Sequence, residues 1–191
     1  QHLSFREGGI LARRVPGVQL DLSAIAKGYA VDAVVAELAR DRPIGVLVEV
    51  GGEVRALGAK PGGAPWRVGI DDPDAPGSRL LAVVLLTGGA LATSGDYRNV
   101  RVVEGRRRTH VVDPRSGRPV EQKVASASVV APTCMEADAV ATALMVLGPE
   151  EGLAWVEDRP WLETLLMVRE GGGISEERAS SGWNRWAAPA E

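Results

Sequence analysis

The sequence predicts an α+β fold with a mixed, mainly antiparallel sheet and packed helices. Short apolar, β-branched segments outnumber the segments with helical periodicity, and hairpin turns occur beside helical crossovers. The chain has 191 residues, 45% of them hydrophobic, which suits one domain that buries its own core. We expect that domain over residues 1–170. Gly, Ser and charged residues dominate afterwards, so we expect a loose tail over 171–191 that Trp183 and Trp186 partly anchor.

The first half of the chain reads as short strands around one long helix. Residues 10–15 form a predicted strand, and Pro16-Gly17 turns the chain into a second strand over 18–20. A helix is expected over 24–40, because apolar residues recur near one face and Arg42-Pro43 stops the pattern. Further strands are expected over 45–50, 53–57, 66–70, 80–86 and 90–93.

The second half of the chain combines a hairpin with two neighbouring helices. Residues 100–103 and 106–112 flank Glu104-Gly105 as the two arms of the hairpin. Thr133 is a plausible N-cap, with Glu136 three residues later in a capping-box pattern. The remaining elements are expected as a strand over 125–130, helices over 135–147 and 150–157, and a strand over 164–168.

Composition excludes several classes of function. The formal net charge of −3 gives no basic field for nucleic acid. No apolar run approaches the ~18 residues that a membrane-spanning helix needs. Cys134 is the single cysteine, so it forms no internal disulfide, and its place at the start of an apolar helix favours a packing role. The first residues carry no signal-peptide pattern, and without an initial Met we expect a processed or truncated product.

Asp138 and Thr142 are the first candidate ligands for a metal ion. They lie four residues apart on a predicted helix and therefore share one face. A carboxylate and a hydroxyl are hard oxygen ligands of the kind that Mg²⁺ prefers. On spacing alone, a surface Asp and a Thr bonded to its own backbone remain an alternative. The neighbouring residues are apolar, however, and an unpaired carboxylate among them would be costly.

Residues 21–27 offer a candidate site for an anion. They form a strand-to-helix transition, where free amides and the helix dipole favour negative charge. Lys27 adds a positive charge, and Gly28 keeps side-chain bulk out of the approach. A lysine on the helix surface is the alternative interpretation. The segment is neither a Walker A sequence nor a dinucleotide-binding glycine fingerprint.

His110 is the candidate general base. Only imidazole has an unperturbed pKa near neutrality, so a correctly placed histidine can accept a hydroxyl proton. Asp113 follows three residues later, before a Pro-Arg-Ser-Gly turn. A structural histidine beside this turn is the alternative. Ser94 does not lie in a G-x-S-x-G elbow, so the sequence contains no recognisable serine-hydrolase arrangement.

Motifs over residues 21–32, 51–53, 66–70, 93–97, 110–114 and 135–142 occur in this order and together resemble the ApbE-like FAD:protein FMN transferases. The resemblance runs from about residue 10 to residue 147 and more weakly to 168. The family's aspartate step and Ile-Ala-Lys-Gly-Tyr-Ala-Val-Asp segment are similar to residues 21–32. Its Gly-Gly-Asp step has Glu53 in third place here, and Ser23 stands where a glycine is usual. The other matching segments are Trp66 to Ile70, Thr93-Ser94-Gly95-Asp96-Tyr97, His110-Val111-Val112-Asp113-Pro114, and Met135-Glu136-Ala137-Asp138 with Ala141-Thr142.

The resemblance implies an ApbE-like (T-fold-like) domain and a role for each candidate residue. Mg²⁺ would be held by the Ala24 backbone carbonyl, Asp138 and Thr142. His110 would be the catalytic base. The residues expected to contact FAD are Asp21, Lys27, Ser94, Gly95 and the backbone near Val112.

The implied reaction is transfer of FMN from FAD to a Ser or Thr of a target flavoprotein, with release of AMP. Two alternatives stay open: Mg²⁺-dependent hydrolysis of FAD to FMN and AMP, and a non-catalytic flavin-binding fragment. Family proteins usually carry a longer N-terminal part that completes the FAD pocket. The resemblance also favours an extracytoplasmic or membrane-anchored location, and it is compatible with a membrane-associated target complex and a homo-oligomer.

Overall fold

The described part of the chain folds into antiparallel strands and three α-helices, and every strand pair in it is antiparallel. A computed structural model describes residues 3–96, 101–103, 106–108, 111–120, 123–170 and 173–189. The predicted α+β class with a mainly antiparallel sheet is confirmed. The helices are α1 (Ser23–Leu38), α2 (Cys134–Leu147) and α3 (Pro149–Glu157). The strands are β1 (Leu3–Arg6), β2 (Ile10–Arg13), β3 (Gly45–Val50), β4 (Glu53–Gly58), β5 (Trp66–Asp71), β6 (Leu80–Leu86), β7 (Gly88–Gly95), β8 (Arg101–Val103), β9 (Arg106–Arg108), β10 (Val112–Asp113), β11 (Arg118–Pro119), β12 (Val124–Ala131), β13 (Glu163–Glu170), β14 (Gly173–Ala179) and β15 (Ala187–Pro189).

A six-stranded sheet of order β14-β13-β12-β7-β4-β3 is the central layer. Alternate residues of each strand point to opposite faces, which divides the core in two. On one face, Ala92 and Val129 pack in a cluster with residues of α1 and α2, such as Val31 and Leu144. On the other face, Leu91, Val130 and Leu165 pack in a cluster with Val84 and Leu86 of the three-stranded sheet β15-β6-β5. The helices and the small sheet therefore cover opposite faces.

The N-terminal hairpin differs from the expectation. The prediction of a strand over 18–20 is wrong, because those residues have no regular secondary structure and lead directly into α1. β2 pairs instead with β1, which the sequence reading missed, through a turn that contains Gly8 and Gly9 at positive φ. β1 is therefore the partner strand of β2, the position that residues 18–20 were expected to occupy.

The prediction of a loose C-terminal tail is also wrong for residues 173–189. β14 pairs along β13, and β15 pairs with β6. Trp183 begins a 3-10 turn between them and is buried in the core under the small sheet. The expected anchoring by Trp183 is thus confirmed, and β14 and β15 lie on either side of it in the chain.

The predicted hairpin after β7 is present in shorter pieces. β8 pairs with β9, and β10 pairs with β11 around the turn at residues 114–117. Of the arm expected over 106–112, the described residues include β9 and the start of β10; residues 109–110, like the turn at Glu104-Gly105, lie outside them. In the described part of the chain, none of the helices combines the length and apolar character needed to cross a membrane.

Candidate functional site

The site is built where α1 crosses the first turns of α2. A Cβ atom on Gly28 would lie 2.3 Å from the backbone oxygen of Cys134, so only glycine permits this approach of the two helices. Across the same contact the Gly28 N–H donates to Asp138 Oδ2, with an N···O distance of 3.0 Å. The close approach therefore brings the backbone of α1 onto a carboxylate of α2.

Asp138 is a buried carboxylate, with 3% of its surface exposed. Burial raises its pKa above the usual range, while the Gly28 hydrogen bond and the charge of Lys27 act in the opposite direction. Among the described residues, the Gly28 N–H is the single hydrogen-bond donor to this carboxylate. Asp138 thus has capacity to accept further partners, a property that suits a buried ligand for a cation.

The Ala24 carbonyl is directed to the same place. In an α-helix the carbonyl of residue i points at the N–H of residue i+4, so the Ala24 oxygen faces the Gly28 N–H. That N–H also donates to Asp138. One donor therefore brings a backbone oxygen of α1 and a side-chain oxygen of α2 together.

The end of β7 presents the Ser94 hydroxyl to α2, while the neighbouring Thr93 side chain lies on the opposite face of the sheet. Ser94 Oγ and Thr142 Oγ1 are 3.2 Å apart, and Thr93 Oγ1 lies 2.8 Å from Ser128 Oγ of β12. Asp96 closes this end of the strand, and its buried carboxylate lies 3.3 Å from Arg169 Nε of β13. These contacts fix the strand end from which Ser94 reaches the helix.

Lys27 is the positive charge at the site. Its ammonium group makes an ion pair with Glu53 of β4, whose side chain is 2% exposed, whereas the Lys27 side chain is 49% exposed. A buried carboxylate thus holds one side of a half-exposed cation. Lys27 remains accessible to an anion that enters from the cavity.

These side chains line one cavity of about 330 Å³. Seven candidate site residues border it: Ala24, Lys27, Ser94, Gly95, Val112, Asp138 and Thr142. Asp21 does not line it. Its carboxylate accepts from the Ser23 hydroxyl and from the Ser23 N–H, the latter at 2.8 Å, and these hydrogen bonds lower the pKa of Asp21. His110 lies outside the described residues. Five further residues line the cavity and are not among the predicted site residues: Ser23, Thr93, Val111, Met145 and Val146.

A signal for some of these missed residues was available. Thr93 precedes Ser94 in the same strand end, and Met145 and Val146 lie three and four residues after Thr142, on the same helix face. Ser23 stands where the family usually has a glycine, and its hydroxyl donates to the Asp21 carboxylate. Val111 precedes Val112, so adjacency alone could have included it.

A larger groove of about 580 Å³ lies on the other side of the sheet and shares Thr93 with the cavity. It runs between the edge strands β3 and β5, with Glu49 and Arg67 among its lining residues. The smaller cavity is the better candidate site, because it contains the buried carboxylate, the paired hydroxyls and the helix N-terminus. Size alone does not identify the chemistry.

The ligand set fits a hard cation better than a transition metal. Within the described ranges, no three His, Cys, Asp or Glu side chains cluster as a metal-binding group. Magnesium needs no such cluster, because it is usually bound by one or two carboxylates, waters and the phosphates of a substrate. Asp138, Thr142 and the Ala24 carbonyl therefore fit Mg²⁺. Cys134 is not a competing thiolate ligand, since burial raises its pKa to about 12.

Residues 1–166 match the family model described as the ApbE family, and the chain belongs to that family. Two curated relatives are FAD:protein FMN transferases. The Vibrio cholerae protein is 39% identical over 181 residues, which cover 95% of this chain and 54% of the relative. The Escherichia coli K12 protein is 40% identical over 161 residues, which cover 84% of this chain and 46% of the relative.

Solved structures agree with this assignment. The apo flavinyl transferase ApbE of Pseudomonas stutzeri superimposes with a TM-score of 0.82 at 41% identity, over 96% of this chain and 56% of that chain. The ApbE protein of Thermotoga maritima gives a TM-score of 0.83 at 33% identity, over 97% of this chain and 59% of that chain. The chain spans about half the length of the curated relatives it matches.

Proposed function

We propose that this chain carries the catalytic site of an FAD:protein FMN transferase. The transferred group is FMN, the acceptor is a Ser or Thr hydroxyl of a target protein, and AMP leaves. The observation that carries the proposal is the convergence of Ala24, Asp138 and Thr142 on one cavity beside Lys27. The activity named for the relatives, FAD:protein FMN transferase, supports it.

Mg²⁺ would be held by the Asp138 carboxylate, the Thr142 hydroxyl and the Ala24 carbonyl. When bound, it supplies positive charge that stabilises the charge developing on the diphosphate oxygens. The shared donor at Gly28 supports this assignment, because it brings two of the three oxygens together. Ser94 keeps the Thr142 hydroxyl in place across the cavity.

Lys27 and the start of α1 would bind the diphosphate. The N-terminus of a helix carries partial positive charge that favours an anion, and Ser23 and Ala24 line the cavity at that end. Glu53 restricts the position of the Lys27 ammonium group through their ion pair. Diphosphate oxygens would take the accessible side of that ammonium.

The reaction forms one P–O bond and breaks another. The acceptor oxygen attacks the FMN phosphorus, and the bond from that phosphorus to the bridging oxygen breaks. AMP leaves with the bridging oxygen. We assign His110 as the base that accepts the hydroxyl proton, which would make the acceptor a better nucleophile.

The test is incubation of the chain with FAD, Mg²⁺ and a protein that carries an acceptor Ser or Thr. AMP release and covalent flavin fluorescence of the acceptor are followed together. The proposal predicts both signals in equal amounts, and their loss in the His110→Ala variant. AMP without flavinylated protein would instead indicate an FAD hydrolase, and FAD binding without AMP would indicate a binding fragment.

A further inference from the structure

Asp32 has contacts to α2 that the reaction itself does not explain. It lies on α1, four residues after Gly28 and thus on the same helix face. Its Oδ1 accepts from the Cys134 N–H at 2.9 Å, and its Oδ2 accepts from the Met135 N–H at 2.9 Å. Asp32 does not line the cavity. Its carboxylate is committed to the backbone of another helix.

These contacts complete the N-terminus of α2. A helix leaves its first N–H groups without partners inside the helix. Asp32 accepts from two of them, and Thr133 Oγ1 accepts from a third, the Glu136 N–H, at 3.2 Å. The next N–H, that of Ala137, donates to the Thr133 carbonyl at 3.1 Å and begins the hydrogen bonds within the helix. The positive end of α2 is therefore neutralised by an internal carboxylate and is not available to a ligand.

The two helices hold each other by reciprocal hydrogen bonds. Gly28 of α1 donates to the Asp138 carboxylate of α2, and Asp32 of α1 accepts from the first turn of α2. Gly28 and Asp32 are one helical turn apart, and so are Cys134 and Asp138. The two contacts therefore form a clasp that fixes both the spacing and the register of the helices.

Arg55 ties this clasp to the central sheet. Its guanidinium makes an ion pair with Asp32 Oδ1 from β4, and both side chains are largely buried. The positive charge of Arg55 offsets part of the free-energy cost of burying the Asp32 carboxylate. Asp32 thus connects α1, α2 and the sheet at one point.

We propose that Asp32 is a positioning residue for Asp138. It holds α2 so that the Asp138 carboxylate stays beside the Ala24 carbonyl, and it does so without contact to the metal or the substrate. The inference rests on the proposed metal site. Groups that orient metal ligands from outside typically change metal affinity by about 10–100-fold when they are removed.

The test compares Mn²⁺ binding by the wild-type chain and the Asp32→Asn variant. Mn²⁺ is a spectroscopic probe for sites built from hard oxygen ligands. The asparagine keeps one acceptor oxygen but places an NH₂ group against a backbone N–H. We expect the dissociation constant to rise by about tenfold or more. Circular dichroism at the same temperature establishes that the variant is folded.

Thr133→Ala is the matched control. It removes a cap from the first turn of the same helix but leaves the tie to α1 intact. We expect Mn²⁺ affinity to stay within about twofold of wild type, since Asp32 still fixes the helix. Asp32→Glu is the second variant; it keeps the charge that neutralises the helix end but adds a methylene, and we expect it to fold and to bind Mn²⁺ more weakly.

A second readout needs no metal. Amide hydrogen exchange of Gly28 reports how well its N–H is held in the clasp. We expect faster exchange in Asp32→Asn and wild-type exchange in Thr133→Ala.

The outcomes separate the two proposals. Folded Asp32 variants with wild-type Mn²⁺ affinity and wild-type Gly28 exchange would overturn the positioning role while leaving the metal site intact. An equal loss of Mn²⁺ affinity in Asp32→Asn and Thr133→Ala would also overturn the positioning role. A general weakening of the start of α2 would then be enough to explain the loss. If Asp138→Ala bound Mn²⁺ as tightly as wild type, the metal site and the inference that rests on it would both fail.

Discussion

The carboxylate of Asp138 is enclosed by the apolar side chains of α2, and this burial raises its pKa. A raised pKa in the folded state means that ionisation opposes folding. The penalty is absent at low pH, where the group is protonated, and it grows as the pH rises through the folded-state pKa. A function that requires the ionised carboxylate therefore costs stability at neutral pH.

Asp138→Asn should make the metal-free chain more stable. The amide oxygen can still accept from the Gly28 N–H, and no charge is buried. We expect the Tm at neutral pH to rise by about 2–4 °C, the shift that about 1 kcal/mol produces in a chain of this size. The gain should shrink as the pH falls through the carboxyl range. Thermal unfolding of both proteins as a function of pH checks this, and a lower Tm for the variant at pH 7 would contradict it.

Gly28→Ala should weaken the contact between α1 and α2. The new Cβ would meet the Cys134 backbone oxygen, which cannot move without the helix. Forcing extra atoms into a packed contact typically costs about 1–3 kcal/mol. Urea unfolding gives the change in free energy.

Gly152→Ala in α3 is the matched control for that substitution. Its Cβ would meet the end of the flexible Leu144 side chain at 2.8 Å. Alanine also gains about 1 kcal/mol of helix propensity over glycine, so we expect a net change smaller than about 1 kcal/mol. Equal destabilisation by Gly28→Ala and Gly152→Ala would contradict the prediction, because the backbone contact at Gly28 would then cost no more than the side-chain contact at Gly152.

At the scale of elements, the segment after β13 illustrates a limit of sequence reading. Its Gly, Ser and charged residues are typical of a loose tail, yet β14 pairs along β13 and Trp183 is 3% exposed. β14 pairs with the preceding strand β13, but the core pocket around Trp183 and the partner strand of β15 come from distant parts of the chain. Local composition contains neither piece of information.

Trp183→Ala measures how much the C-terminal segment contributes to the fold. Truncation of a buried tryptophan typically costs about 3–5 kcal/mol, and we expect a loss in that range by urea unfolding. Trp161→Ala is the control, because Trp161 is 53% exposed and mainly donates one hydrogen bond to Glu136. Trp161→Ala should lower the free energy of unfolding by only about 1 kcal/mol. Equal, small effects of both substitutions would favour a dispensable segment.

The start of α2 shows what local sequence can predict. Thr133 caps the helix as predicted, because an N-cap involves residues only three apart. Glu136 does not complete the predicted capping box in the described contacts; it accepts from Trp161 instead. Local sequence could not identify Asp32 as an acceptor at the start of α2, since its partners Cys134 and Met135 lie 102 and 103 residues away.

At the scale of the whole molecule, the cavity is assembled from three distant elements. α1 contributes Ala24 and Lys27, β7 contributes Ser94, and α2 contributes Asp138 and Thr142. The chemistry of their motifs predicted Asp138, Thr142 and Lys27, whereas Ala24 and Ser94 were predicted from the family resemblance. The sequence could not predict the shared donor at Gly28 or the buried Glu53 behind Lys27, since both depend on how the elements pack.

The most direct test of the account is the effect of Mg²⁺ on FAD binding, measured by calorimetry with Mg²⁺ and with EDTA. If the cavity joins metal and diphosphate, Mg²⁺ should tighten FAD binding to the wild-type chain by about tenfold or more, as expected for coupled ligands. Asp138→Asn and Thr142→Val should each remove most of that effect. An equal Mg²⁺ effect in the wild type and both variants would contradict the account, because the metal would then act elsewhere.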